Sequence, residues 1–206
     1  MKTTDKQVIW ILTILNIALI AVLIFGRFLW AGNGISKDEY NRAVTSLKTL
    51  HANQKSLMQF QLFTEGAKLN PQLEVFNEIG DTLAINNIIS KPVLVLRYSE
   101  LNCQSCVDDL LTEIKEDGIF NATNTLLLAY YSEPAYLYQF KRMNRLELPV
   151  FSIQHTGLPP DTLNLPYFFL MNSKLQISNV FIPEEGDTEA ITAYLAFAAK
   201  RLGIYP

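Results

Sequence analysis

The chain has 206 residues, 49% of them apolar, with 12 Phe, 9 Tyr and a formal net charge of −3. That length holds one good-sized domain plus an attachment, and the charge leaves no basic stripe to meet phosphates, which argues against nucleic acid as a partner. The two cysteines are too few for a disulfide scaffold and only half of a four-thiolate zinc site, so a single dithiol pair remains.

Val8 to Phe25 is an apolar run whose only strongly polar member is Asn16, and Phe28, Leu29 and Trp30 extend it. A bilayer-spanning helix needs about 20 such residues, more than the apolar region of a cleavable signal peptide supplies. Trp10 and Trp30 lie near the two ends, as interfacial aromatics do, and no Ala-x-Ala-like site or lipid-accepting cysteine follows. Residues 1–30 are therefore expected to anchor the chain in the lipid bilayer through residues 8–30. Lys2 and Lys6 before the run, against Arg27 and Lys37 after it, favour a cytoplasmic N-terminus. The expectation is a single-pass protein of the inner (cytoplasmic) membrane with its bulk outside.

Ala31 to Gly34 reads as a flexible break, and Ser36 with Glu39 reads as a capping box opening a helix to about Phe63. Val44, Leu47 and Met58 fit a seam that His51, Gln54 and Gln61 interrupt, so residues 31–66 read as a stalk with weak self-association. His51 has no ligand partner nearby and reads as a solvated residue.

Residues 67–206 read as the folded domain. Pro71–Phe76 and Thr82–Ile85 flank the turn residues Asn77–Asp81 and predict a short hairpin, followed by a helical turn in 86–90. Val93 to Ser99 is apolar without alternation until Arg97, as a strand covered on both faces should be. Val107, Leu110, Leu111 and Ile114 then recur at helical spacing up to Gly118. Thr125–Tyr131 is the next buried strand, and Ser132, as N-cap ahead of Pro134, opens a helix to about Asn144. Leu148–Ile153 predicts a strand whose Pro149 places it near an edge. After a loop over 155–165, Pro166–Met171 and Leu175–Phe181 predict a hairpin, and Asp187 or Thr188 caps a last helix. The fold class is α/β: a mixed sheet sandwiched by helices, parallel in its first crossover and antiparallel at the closing hairpin.

Cys103-Gln104-Ser105-Cys106 stands between the buried strand and the amphipathic helix. A helix N-terminus favours a thiolate over a thiol, so a C-x-x-C delivered there is a redox-site arrangement.

Taken together, the chain resembles a thioredoxin-like protein of the membrane-anchored TlpA/ResA-like branch, over about residues 70–203. The resemblance rests on the Gly80-Asp81 hairpin, the Lys91-Pro92-Val93-Leu94-Val95 strand entry, the cysteine pair, Leu165-Pro166-Tyr167-Phe168-Phe169 and Lys174-Leu175-Gln176-Ile177. It implies a thiol-disulfide oxidoreductase without cofactor or metal, in which Cys103 attacks and Cys106 resolves. It also implies a cis Pro166 against the pair, offering a backbone edge with Leu165 to the substrate. Asn102 would cap the helix, and Glu100 could relay protons. Disulfide-containing envelope proteins, cytochrome c precursors among them, and a membrane electron donor are the partners it implies. The departures are Asn102, Gln104 and Ser105 where the branch commonly has Trp before the pair and Pro within it. Leu165 replaces a Thr or Val, and Leu96 or Arg97 stands where a buried acid is often found.

Other readings remain open: a structural Cys103–Cys106 disulfide, half of a metal site shared across a dimer, or a redox-inactive binding or scaffold module on the membrane. A peroxidase reading is weaker, because that class has Pro and Thr where this chain has Leu96 and Glu100. His155 reads as a loop residue, Tyr130, Tyr131, Tyr136, Tyr138 and Phe140 as core and helix surface, and Lys141, Arg142 and Arg145 as a solvated face.

Overall fold

The computed structural model describes residues 4–32 and 36–205, in two compact units, Met1–Asn53 and Gln54–Pro206. The first unit holds α1 (Thr4–Gly32) and the opening turns of α2 (Lys37–Thr64). Among the described residues α1 is the one helix long and apolar enough to cross a membrane, and no residue of its Trp10–Arg27 window is buried. Its polar member is satisfied within the helix: the Asn16 amide donates to the Leu12 carbonyl at 3.4 Å. The capping box at the start of α2 is reciprocal. Glu39 N–H donates to Ser36 Oγ and Ser36 N–H to Glu39 Oε2, both at 3.1 Å. Asn33 and Gly34 of the expected break lie outside the described residues, whereas Ala31 and Gly32 close α1.

In the second unit the end of α2 is joined to the sheet rather than held clear of it. Leu57 and Phe60 pack against the core. Gly66 turns the chain at φ 79°, and its N–H donates to the Ile177 carbonyl at 2.9 Å. The hairpin β1 (Glu74–Phe76) and β2 (Thr82–Ala84) follows, closed by Asn77, whose Oδ1 accepts from the Ile79 and Asp81 N–H groups. A short 3-10 turn over Ile85–Asn87 leads into β3 (Val93–Ser99).

β3 is buried on both faces, and its side chains divide two cores. Leu94, Leu96 and Tyr98 face α3 (Gln104–Asp117) and α5 (Thr188–Leu202), whereas Val93 and Val95 meet Val75, Ile85 and Phe169 on the other side. Burying each such side chain contributes about 1.5–3 kcal/mol. The remaining elements are β4 (Thr125–Tyr130), α4 (Pro134–Met143), β5 (Val150–Ser152), β6 (Tyr167–Met171) and β7 (Ile177–Phe181). The sheet order is β2-β1-β5-β4-β3-β6-β7. β3–β4 and β4–β5 are parallel and β3–β6 and β6–β7 antiparallel, so the mixed sheet expected from sequence is the one found.

Two local expectations are corrected. β5 is not near an edge, because β4 and β1 pair with it on either side. Pro149 sits one residue before the strand, where its missing N–H costs no ladder bond while its carbonyl accepts from Leu127 at 2.9 Å. Ser132 does not cap α4. Glu133 occupies that place without a side-chain bond, and Ser132 donates its N–H and hydroxyl to Glu100. Asp187 does cap α5, its Oδ1 accepting from Ala190 N–H at 3.0 Å.

Candidate functional site

The end of β3 next to α3 is where parallel strands deliver their C-terminal edge, and the cysteines stand there. Both are free thiols, Cys103 exposed and Cys106 half-buried. Cys103 itself occupies the N-cap of α3, and its Sγ accepts from the Cys106 N–H at 3.4 Å. Asn102 therefore does not cap the helix. Its Oδ1 accepts from Ser99 N–H at 2.6 Å and its Nδ2 donates to the Asn164 carbonyl at 2.6 Å. It thus ties the end of β3 to the loop that carries Leu165 and Pro166. Replacing Asn102 by Ala leaves that N–H and carbonyl without their partner, with a loss of about 1–3 kcal/mol expected. A thermal melt together with faster proteolysis within residues 157–165 checks it.

Cys103 is drawn below the ordinary thiol range by hydrogen bonding, first to the Cys106 thiol, then to the Ser105 hydroxyl (Sγ···Oγ 3.0 Å) and the Cys106 N–H. Burial, with the bond to Cys103 second, pushes Cys106 up to about 11. The geometry thus divides the pair into an exposed sulfur whose thiolate is favoured and a half-buried thiol held behind it.

The Glu100 carboxylate accepts from Ser132 N–H at 3.0 Å and Ser132 Oγ at 3.2 Å, linking the turn after β3 to the segment ahead of α4. Leu165 is 39% exposed and Pro166 is buried. Both line a cavity of about 120 Å³ with Cys103 and Cys106. The Leu165–Pro166 peptide is not cis, since the described residues contain no cis bond. The chain reverses instead at Asn164, in the left-handed region at φ 51° after a 3-10 turn over Pro159–Leu163, which brings Pro166 to the pair with an ordinary trans peptide. His155 lines a separate cavity of about 70 Å³ behind the dithiol turn, with Asn102 and Leu165 but neither cysteine. Tyr98, Tyr131 and Phe140 pack together in the core, and Lys141, read as part of a solvated face, pairs with Glu78.

Two features were not reached from sequence. Glu185, in the loop between β7 and α5, brings Oε1 to 3.9 Å from Cys103 Sγ, and its charge opposes ionisation of both thiols. The loop chemistry of Pro183 to Gly186 was visible, but an approach across 82 positions was not. Arg97 is 5% exposed, and its Nε donates to Asp161 Oδ1 at 3.2 Å. Asp161 also accepts from Thr156 N–H, the Thr156 hydroxyl and the Tyr167 hydroxyl at 2.6–2.8 Å. A buried ion pair thus sits on the β3 face beneath the loop that carries Leu165. Leu96, the neighbouring residue of β3, is core.

No family model matches the sequence, and no curated protein does. Among solved structures, the chain is similar to peroxidoxin BcpB from Mycobacterium tuberculosis, at 12% identity and a TM-score of 0.51, over 68% of this chain and 97% of that one. The chain has a thioredoxin-like fold. Lower-scoring similarities include the bacterioferritin comigratory protein of Xanthomonas campestris (12% identity, 64% and 97% covered, TM-score 0.47). A thiol:disulfide interchange protein from Bacteroides sp. also scores below the first (14% identity, 68% and 90% covered, TM-score 0.46).

Proposed function

We propose that this thioredoxin-like protein is a thiol-disulfide oxidoreductase in which Cys103 attacks and Cys106 resolves. The observation that carries the reading is the asymmetry of the pair: an exposed thiolate-favouring sulfur at the helix N-cap beside a half-buried thiol held up to about 11. In the reducing direction the Cys103 thiolate displaces one sulfur of a protein disulfide, which leaves as a thiolate. Cys106, losing its proton, then attacks Cys103 Sγ and releases the second sulfur, so two electrons pass to the substrate and the pair becomes a disulfide. Leu165 and Pro166 border the approach to Cys103 and are the proposed substrate contacts.

In the same reading residues 1–30 anchor the chain in the cytoplasmic membrane and 31–66 form a stalk whose last turns, through Leu57 and Phe60, pack onto the domain of 67–206; that domain faces the periplasm or cell exterior. The supporting feature is the exposed apolar α1. The proposed partners are disulfide-bearing envelope proteins and a membrane electron donor.

Alkylation of the reduced protein tests the asymmetry. Exchange and alkylation rates follow the thiolate fraction, which rises with pH through the pKa; a depressed Cys103 reaches its plateau at lower pH than a free thiol. Iodoacetamide is expected to label Cys103 below the ordinary thiol range, while Cys106 resists until near pH 11. Equal labelling of both cysteines at every pH would contradict the assignment.

A further inference from the structure

We propose that the reduced dithiol and Glu185 together form a binding site for a thiophilic divalent cation, with Zn²⁺ as the type ligand. One sulfur from each cysteine and one Glu185 carboxylate oxygen lie within 4.8 Å of one another, drawn from the first turn of α3 and from the loop ahead of α5. Zinc takes thiolates at about 2.3 Å and carboxylate oxygens at about 2.0–2.2 Å in a tetrahedron, which sets sulfur–oxygen separations near 3.5 Å. The Cys103–Glu185 contact, at 3.9 Å, already approaches that spacing. Cys103 and Glu185 are both exposed, so side-chain rotation alone closes the remainder.

The surroundings point the same way. The cavity of about 120 Å³ beside the sulfurs is lined by Asp109 and Glu184 as well as Glu185, and no Lys, Arg or His lines it. Two sulfurs and a carboxylate converge on a cavity with no cationic side chain in its lining, so a divalent ion that displaces the thiol protons is balanced by the donors themselves. The donor set also selects among metals. Two sulfur donors disfavour a hard-ion site for Ca²⁺ or Mg²⁺, whereas sulfur with one carboxylate suits zinc with water in the fourth position.

Binding displaces the proton of each thiol and transfers no electrons. It also excludes the disulfide state, because the same two sulfurs serve both. When a substrate disulfide takes two electrons from the pair, Cys103 and Cys106 bond to each other and the cation leaves.

The test uses the full chain in detergent, reduced, titrated with Co²⁺ as a spectroscopic stand-in and then with Zn²⁺ in competition. The expected result is a thiolate-to-cobalt charge-transfer band that saturates at one equivalent and is displaced by Zn²⁺. The band should be lost in Cys103→Ser, in Cys106→Ser and in the disulfide form. Glu185→Gln should weaken affinity by at least about tenfold, since even outer-shell partners are worth that much, and its cysteines should still alkylate. Absence of the band, or parent-like affinity in Glu185→Gln, overturns the site. The disulfide-exchange assays are run in chelator, so a chain that reduces disulfides but binds no cobalt refutes this inference alone.

Discussion

Cys103→Ser is expected to reduce disulfide turnover to the background of the reductant, a fall on the order of a thousandfold or more, as removal of a covalent nucleophile does. Cys106→Ser should fail differently. Cys103 keeps its place at the N-cap, accepting from the backbone N–H of residue 106, so the first attack proceeds. The mixed disulfide then accumulates for want of a resolving sulfur. Insulin reduction with the full chain in detergent measures the first effect, and non-reducing gels with an oxidised protein substrate measure the second. If both variants turn over like the parent, the domain is a thioredoxin-like binding or scaffold module instead.

The second large effect concerns stability. Arg97 and Asp161 have side-chain exposures of 6% and 8%, and removing one charge strands the other in the core. Arg97→Met or Asp161→Ala alone is expected to cost about 3–5 kcal/mol, which for a chain of this size lowers Tm by roughly 6–20 °C. Pairing Arg97→Met with Asp161→Leu removes both charges and should cost less than either single change. It still leaves the Thr156 and Tyr167 hydroxyls without their carboxylate acceptor. Circular-dichroism melts of the three variants decide it; equal melting temperatures throughout would show that the pair does not hold this face of the sheet.

That ion pair also marks the limit of what could be read beforehand. β3, the amphipathic α3 and the closing hairpin followed from runs, periodicity and turn residues, because those signals are local and the sheet obliges them. Arg97 was visible as a polar interruption in β3, but its partner lies 64 positions away in a Pro-Pro-Asp loop, and nothing local in that loop announces burial. Asn102 shows the same limit. A polar residue ahead of a helix reads as a cap, yet Cys103 took that role and Asn102 became the tie to Asn164. Ser132 likewise has cap chemistry, and its bonds went to Glu100, a pairing fixed by the parallel neighbours β3 and β4 rather than by its own segment. The cysteines were legible as a chemical unit, whereas the third side chain beside them, Glu185, arrives only through the turn between β7 and α5.

Equilibration of the full chain with graded ratios of reduced to oxidised glutathione, followed by alkylation and intact-mass measurement, tests the exchange reading most directly. The two thiols are expected to disappear together in a single two-electron transition to a Cys103–Cys106 disulfide, and to return on reduction. Two thiols that stay alkylatable at every ratio, or that acquire separate glutathione adducts without joining, would contradict it.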